Sequence, residues 1–387
     1  MTEKLYYQDP FLRTFTATVL SCEPGRDGTW LVTLDRTAFY PEGGGQPGDT
    51  GALGDTEVLD THERDGLVLH TCRDALPAGA QVSGAICWDR RFDHMQQHSG
   101  EHVVSGFLCR RYGCDNVGFH LGKDTVTVDF NFPIPPEDLP AIEEEVNAYL
   151  WQDRAVEIRS LEGEALRQAE YRSKKFIPGL VRLVSFPGAD CCACCGTHVS
   201  RAGQIGLVKL LSCQTFREGV RIEMLCGGRA LRYLNGVLDQ NARVSHALSA
   251  KVMETAAAVE RLQGELYRLR GRLRGLEEAD IARRAESLRG AGDVVLLEPE
   301  MDADALRRLC DSVGQTCGGR CAVFAGADGD YRYAVLCGRE TDVRSFAAAM
   351  NQALRGRGGG KSGFLQGSCA ASGEEIRAYF DALWPGR

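Results

Sequence analysis

Nowhere in this 387-residue chain do eighteen apolar residues run together, so no stretch is long enough to cross a bilayer as a helix. The opening MTEKLYYQDP lacks the basic-then-apolar layout of a secretory leader, and a cytoplasmic protein with no membrane contact is expected. Basic charge is not in excess: 45 Lys and Arg face 53 Asp and Glu, for a net charge of −8, so nothing global announces nucleic acid. Strands and helices do not alternate as βαβ units, which argues against a parallel sheet and for an α+β fold. A glycine-rich stretch at 43–51 lacks the GK[ST] ending of a phosphate-binding P-loop. Histidine is scarce too, with only eight residues.

Three of those eight fall in two short motifs. His98-Ser99-Gly100-Glu101-His102 reads HxxxH; on a helix, imidazoles at i and i+4 share one face and can hold one ion. Cys194-Cys195-Gly196-Thr197-His198 reads CxxxH on a short glycine-containing turn. An HxxxH alone is a weak signal, commonly just surface helix. Paired with CxxxH it gives three nitrogens and a sulfur, a sound tetrahedral set for Zn²⁺, one ion per chain, with His98, His102, Cys194 and His198 as ligands. Cysteine, by contrast, is plentiful. In a chain this long without a leader, sixteen Cys are read as buried thiols with a few kept for metal rather than as a disulfide framework. Only Cys191, Cys192, Cys194 and Cys195 cluster, and no second CxxC pair completes a four-cysteine zinc site.

The length predicts two or three domains. Residues 11–90 alternate as strands, with Arg64-Asp65-Gly66 as a hairpin turn. Within them Thr37 to Gly51 carries five glycines among Thr, Tyr, Glu and Gln side chains, a permissive backbone suited to a small-ligand pocket. A helix begins near Arg90, carries both histidines, and closes at Gly113. Strands follow at 125–130, 180–186, 204–211 and 219–225, with a helix after Pro135-Pro136. Beyond Gly228 a leucine-rich heptad seam, interrupted at Asn241, Ser245 and Thr255, predicts one long coiled-coil-like helix over 229–289, with a break near Gly271. The seam offers a route to a homodimer through the 229–290 helix or the C-terminal domain. Four arginines in residues 267–274 suit either phosphate contact or a solvated face. In the last hundred residues, Asp302 should cap a helix, 321–336 should form a hairpin, and Gly358 to Gly363 should be a loop whose N–H groups could cradle a phosphate.

FYPEGGGQPGDTG, HSGEH, CCGTHV and GLVKLLS…EGVRIEMLCG, in that order, resemble the motif series of the alanyl-tRNA synthetase editing domain and its free-standing relatives, the AlaX proteins. The resemblance spans roughly residues 10–228, and the chain's end resembles the DHH-associated domain of the long AlaX form. It departs from the family at Cys195, where a second Gly is common, and at Ser99, where Thr is common. The resemblance implies four segments: a β-rich glycine-motif subdomain (1–90), a zinc-binding editing core (91–228), a helical linker (229–290) and a DHH-associated domain (291–387). It implies a hydrolase that deacylates alanine tRNA mischarged with serine, and secondarily glycine, working on the acceptor end. An alanine-selecting pocket cannot strongly reject an added hydroxyl, so a second site must remove the error. Thr37 is the expected reader of the seryl hydroxyl, with Gln46 shaping the same catalytic pocket; Glu101 is a weaker candidate base. No room is left upstream for an aminoacylation core, so no tRNA charging is expected. The alternatives are a threonyl-type or less selective deacylase, a zinc-stabilised tRNA-binding protein without catalysis, and a dimeric scaffold built on the heptads.

Overall fold

The computed structural model describes residues 1–173, 178–338 and 342–384 of an α+β chain that divides into two compact units, Met1–Arg243 and Val244–Arg387. In the first unit, alternation of apolar and polar residues produces a closed barrel. Its strands are β1 (Thr14–Pro24), β2 (Trp30–Leu34), β3 (Gly51–Leu53), β4 (Thr56–Arg64), β5 (Leu67–Cys72) and β6 (Gln81–Ile86). They close in the order β1-β2-β5-β4-β3-β6, every neighbour antiparallel. Asp65 and Gly66 at φ 52° and 74° make the expected hairpin turn between β4 and β5. Val32, Leu34, Leu53 and Val58 fill the interior.

One buried histidine shares that interior. His70 Nδ1–H donates to the Val32 carbonyl at 3.0 Å, and its Nε2 accepts from the Thr37 hydroxyl at 2.9 Å. Thr37 Oγ1 in turn accepts from the Phe39 amide at 3.1 Å. The neutral imidazole satisfies both partners, and burial pushes its pKa down to about 4.

The barrel leads straight into α1 (Trp88–Tyr112), whose C-terminus is capped by Gly113 at φ 63°. Most of α1 is buried, because a four-stranded antiparallel sheet and a second helix enclose it. The sheet runs β12-β13-β8-β7, formed by β7 (Asn116–Leu121), β8 (Val126–Phe130), β12 (Val208–Phe216) and β13 (Gly219–Cys226); the helix is α2 (Leu139–Leu150). A three-stranded antiparallel sheet, β9 (Glu157–Leu161), β10 (Val181–Phe186) and β11 (Asp190–Ala193), delivers the chain to Cys194. Gly106 lets α1 approach this sheet: a Cβ there would stand 2.3 Å from the Ala189 carbonyl oxygen.

The heptad region departs from the single helix expected over 229–289. It forms α3 (Gly227–Ala247) and α4 (Thr255–Ser287). The break falls at 248–251, where Ser249 takes φ 48° and the Ser245 hydroxyl and carbonyl both bond to Ala250. Gly271, the expected break, lies within a continuous α4 with nothing within 4 Å of its would-be side chain. Ser245, one of the seam's own interruptions, marks the true end.

The second unit holds a five-stranded sheet, β14-β15-β16-β18-β17. It comprises β14 (Gly292–Glu298), β15 (Gly318–Ala327), β16 (Asp330–Leu336), β17 (Gly356–Lys361) and β18 (Phe364–Cys369), with only β14 and β15 parallel. Its helices are α5 (Ala303–Thr316), α6 (Val343–Ala353) and α7 (Gly373–Leu383). Asp302 caps α5 through the Ala305 amide at 2.7 Å, as expected. The glycine run is a correction: 356–361 is an edge strand paired with β18, and only Ser362 and Gly363, both at positive φ, form a turn. Glycine is required there by crowding, since a Cβ on Gly358 would meet the Tyr333 hydroxyl at 2.3 Å. No helix among the described residues is long and apolar enough to cross a membrane.

His70 yields a pH prediction. Its folded pKa lies below the unfolded value, so the unfolded chain takes the proton first. Stability is therefore lost as pH falls below about 6.5, reaching about 3 kcal/mol for this group near pH 4. Denaturation midpoints measured between pH 7 and pH 4 should fall less steeply in His70→Gln than in the parent chain.

Candidate functional site

The two motifs meet. His98 and His102 project from α1 toward the turn after β11, where Cys194 and His198 sit, and one donor atom from each lies within 4.8 Å of the others. Cys194 Sγ stands 3.4 Å from His98 Nε2 and 3.3 Å from His198 Nε2. All three imidazoles are essentially excluded from solvent.

What orients them is a set of acceptors on their other nitrogens. His98 Nδ1–H donates to Gln46 Oε1 at 2.9 Å, and His102 Nδ1–H to Asp190 Oδ2 at 2.9 Å. His198 Nδ1–H donates to Ser99 Oγ at 3.2 Å. With Nδ1 engaged in this way, each ring turns its Nε2 inward, the orientation a metal requires. Those partners are themselves held: Gln46 Nε2 donates to Thr197 Oγ1 at 2.8 Å, and Arg172 grips Asp190 at 2.7 and 2.9 Å. Gly196 has no room for a side chain, because a Cβ would fall 2.2 Å from His98 Cε1 and 3.1 Å from Gln46 Oε1.

The electrostatics suit a cation. Burial alone would raise the Cys194 thiol, but the charges of His98 and His198 and the bonds from His102 and His198 outweigh it, holding it well below the usual thiol range. At His102 burial opposes the charged form, yet the bonds to Asp190 and Cys194 overcome it and raise the imidazole well above its usual value. His198 is pushed down to about 3, chiefly by burial. A thiolate beside a proton-holding His102 makes a site in which a metal ion displaces the proton.

Beside this cluster lies a cavity of about 270 Å³, bordered by Gly44, Glu101, Asn116, Phe119, Cys192 and Cys195 as well as by His98, His102 and Cys194. Phe119 stacks on His98 with centroids 4.9 Å apart. The glycine loop reaches this wall closely: a Cβ on Gly45, at φ 85°, would stand 2.6 Å from the Phe119 ring. The loop is anchored to α1 by buried Arg91, which binds Asp49, and Asp49 also accepts from the Tyr40 amide at 2.7 Å.

Among the expected residues, the structure brings Gln46 to His98 as its hydrogen-bond partner. It does not bring Thr37 to the cluster: that hydroxyl is engaged by His70 in the barrel, and Thr37 does not border the cavity. Sequence reasoning gave no role to Asp190, Asn116 or Arg172. Asp190 immediately precedes the cysteine cluster, but nothing in that spacing pairs it with a histidine 88 residues earlier.

Residues 181–223 match the family model described as the threonyl and alanyl tRNA synthetase second additional domain, and residues 4–90 match the one described as tRNA synthetases class II (A). The alanyl-tRNA editing protein Aarsd1 of Mus musculus is 28% identical over 398 residues, covering 97% of this chain and 96% of that protein. The alanyl-tRNA editing protein AlaX-L of Pyrococcus horikoshii is 32% identical over 289 residues, covering 70% of this chain and 71% of that one. The chain belongs to the AlaX-L family of alanyl-tRNA editing proteins. The alanine–tRNA ligase of Thermofilum pendens is 31% identical over 392 residues, which cover 95% of this chain but 42% of that ligase.

The Nδ1 partners give a prediction. Gln46→Leu removes the acceptor that holds His98, and metal affinity should drop about 10–100-fold. Competition with a chromophoric chelator would measure it. Full retention of affinity in Gln46→Leu, or of metal in Cys194→Ser, contradicts the assignment.

Proposed function

We propose that the chain is a free-standing aminoacyl-tRNA deacylase that hydrolyses the ester of alanine tRNA mischarged with serine, and secondarily glycine, without charging tRNA itself. The observation that carries this reading is the inward-facing Nε2 and Sγ cluster bordering a cavity of about 270 Å³, in a chain aligned over nearly its whole length with relatives named as alanyl-tRNA editing proteins. Zn²⁺ is the ion this donor set suits, held by His98, His102, Cys194 and His198. Bound there, it supplies a Lewis acid beside the cavity. The chain's own residues do the positioning. Gln46, Asp190 and Ser99 fix the three rings, Gly44 and Phe119 narrow the cavity, and Gly196 keeps the turn clear of His98. In this reading Gln46 is a positioning residue. Thr37 acts through the barrel: its bond to His70 sets where the following glycine loop begins.

The partner is tRNA, engaged at its acceptor end. A second cavity of about 750 Å³ is lined in part by Pro47 and Leu121, close in sequence to Gly44 and Phe119 of the first. Arg90, Lys123, Arg229 and Arg232 line it against Asp89 and Asp93, and Asp93 is already paired with Arg229. That surplus of positive charge suits phosphodiesters approaching the metal-side cavity. The leucines of the heptad seam, among them Leu262, Leu269, Leu273 and Leu276, are exposed, which supports self-association through α4. The C-terminal unit is assigned the role of the family's DHH-associated domain, and the cytoplasm, where charged tRNA is used, is the compartment.

The test is deacylation of serylated alanine tRNA, beside alanylated alanine tRNA and serylated serine tRNA, with and without a zinc chelator. Chelator-sensitive loss of serine from alanine tRNA alone is expected. Loss from none of the three would favour a binding protein. Replacing Lys123 and Arg232 together by Glu should raise KM for tRNA at least about tenfold and flatten its salt dependence, with kcat little changed. Unchanged KM would remove the second cavity from the tRNA path.

A further inference from the structure

The metal-side cavity contains a carboxylate that the reading above leaves without a task. Glu101 sits on α1 between the two histidines, is only 4% exposed, and borders the cavity. Among the described residues its hydrogen bonds fall on one oxygen: Ser105 Oγ donates to Oε1 at 2.7 Å, and Asn116 Nδ2 donates to the same atom. That leaves Oε2 as the oxygen available to the cavity. Asn116 borders the cavity as well, and its Oδ1 is buried with no hydrogen-bond partner. The guanidinium on the same lining, Arg172, is taken up by Asp190 in a two-pronged contact. Arg172 also feels the Glu101 charge, and Asn116 Oδ1 remains an acceptor without a partner on this lining.

A buried carboxylate with one oxygen committed, bordering a small and largely apolar cavity, calls for a cationic donor. An aminoacyl ester carries one, the α-ammonium, two bonds from the ester carbonyl carbon. Glu101 is three residues from His98 on the same helix face, so the two side chains are neighbours. A carbonyl placed at the cluster thus brings its α-ammonium within reach of Glu101. We propose that Glu101 Oε2, with Asn116 beside it, is the binding subsite for the substrate's α-ammonium, and that the site takes aminoacyl esters with a free amine and refuses those without one. The inference rests on the deacylase reading for its substrate class but concerns a different atom of the site. It makes Glu101 a specificity residue rather than the base that activates water.

The experiment compares two pairs of ligands on the full-length, metal-loaded chain. The first pair is non-hydrolysable: adenosine carrying serine through a 3′-amide, and its counterpart with an α-hydroxyl in place of the ammonium. The second pair is the seryl and 2,3-dihydroxypropanoyl esters of alanine tRNA. The parent chain should bind the amine-bearing amide about tenfold to a hundredfold more tightly and prefer the seryl ester at least as strongly in kcat/KM. Glu101→Gln keeps an acceptor for Ser105 and Asn116 but loses the charge. It should lower both preferences to within a few-fold, leaving the hydroxyl analogues almost unaffected, with metal content and melting temperature close to the parent's. Ser105→Ala, which touches Glu101 but does not border the cavity, should keep the preference. Equal loss of rate on both esters in Glu101→Gln would assign Glu101 to the chemistry and overturn the proposal, as would equal binding of the two amides by the parent chain. Amine-dependent binding without hydrolysis of either ester would leave the subsite standing and remove the deacylase reading instead.

Discussion

An imidazole can give a metal its Nε2 lone pair only while Nδ1 keeps the proton, and each of three rings here meets that condition with a different partner. An amide oxygen, a carboxylate and a hydroxyl hold His98, His102 and His198 respectively. The three come from separate places: the barrel's glycine loop, the start of β11, and α1 itself. The folds of both halves of the first unit can be read as the means of carrying Gln46, Asp190 and Ser99 to those nitrogens. The differing partners also grade the rings, with Asp190 favouring positive charge on His102 while His198 stays neutral.

The glycine loop can serve this purpose only if it is fixed, and Arg91 fixes it. This fully buried guanidinium binds Asp49 and also donates to the Pro10 and Ala38 carbonyls at 2.9 and 2.6 Å. Removing either charge would strand the other in the interior, a loss of roughly 3–5 kcal/mol in comparable buried pairs. Arg91 sits two turns of α1 before His98. One helix therefore carries both the anchor of the loop and the ring which that loop orients.

Much of this was legible in the chain. Alternation revealed the barrel strands, Asp65-Gly66 the hairpin, and HxxxH with CxxxH the cluster, because period and spacing are local properties of sequence. The Nδ1 partners were not legible, since Asp190 meets His102 across 88 residues and no local rule joins them. Gln46 was singled out, but as a pocket residue, and its bond to His98 depends on how the barrel docks on α1. Thr37 was drawn toward the substrate by motif position, whereas its hydroxyl completes a chain running from the Phe39 amide to the Val32 carbonyl. The 356–361 strand was hidden by glycine's reputation: composition suggests a loop, but at Gly358 the neighbouring Tyr333 hydroxyl leaves no space for anything larger. The heptads led to one helix because periodicity records which residues share a face and says little about where a serine can end the run.

The cluster draws its members from positions as far apart as His98 and Cys194, 96 residues along the chain, with Gln46 a further 52 before His98. A partly folded chain has at most the helical pair to offer an ion, which is a poor site. An ion held by this set would therefore arrive late and reward only the finished arrangement. Such an ion would tie the loop, the helix and the CCGTH turn into one unit that opens together or not at all. Left to themselves, a glycine-rich loop and a short turn would be among the first parts of such a protein to fray. Bound in this way, they would open no more readily than the helix at its centre.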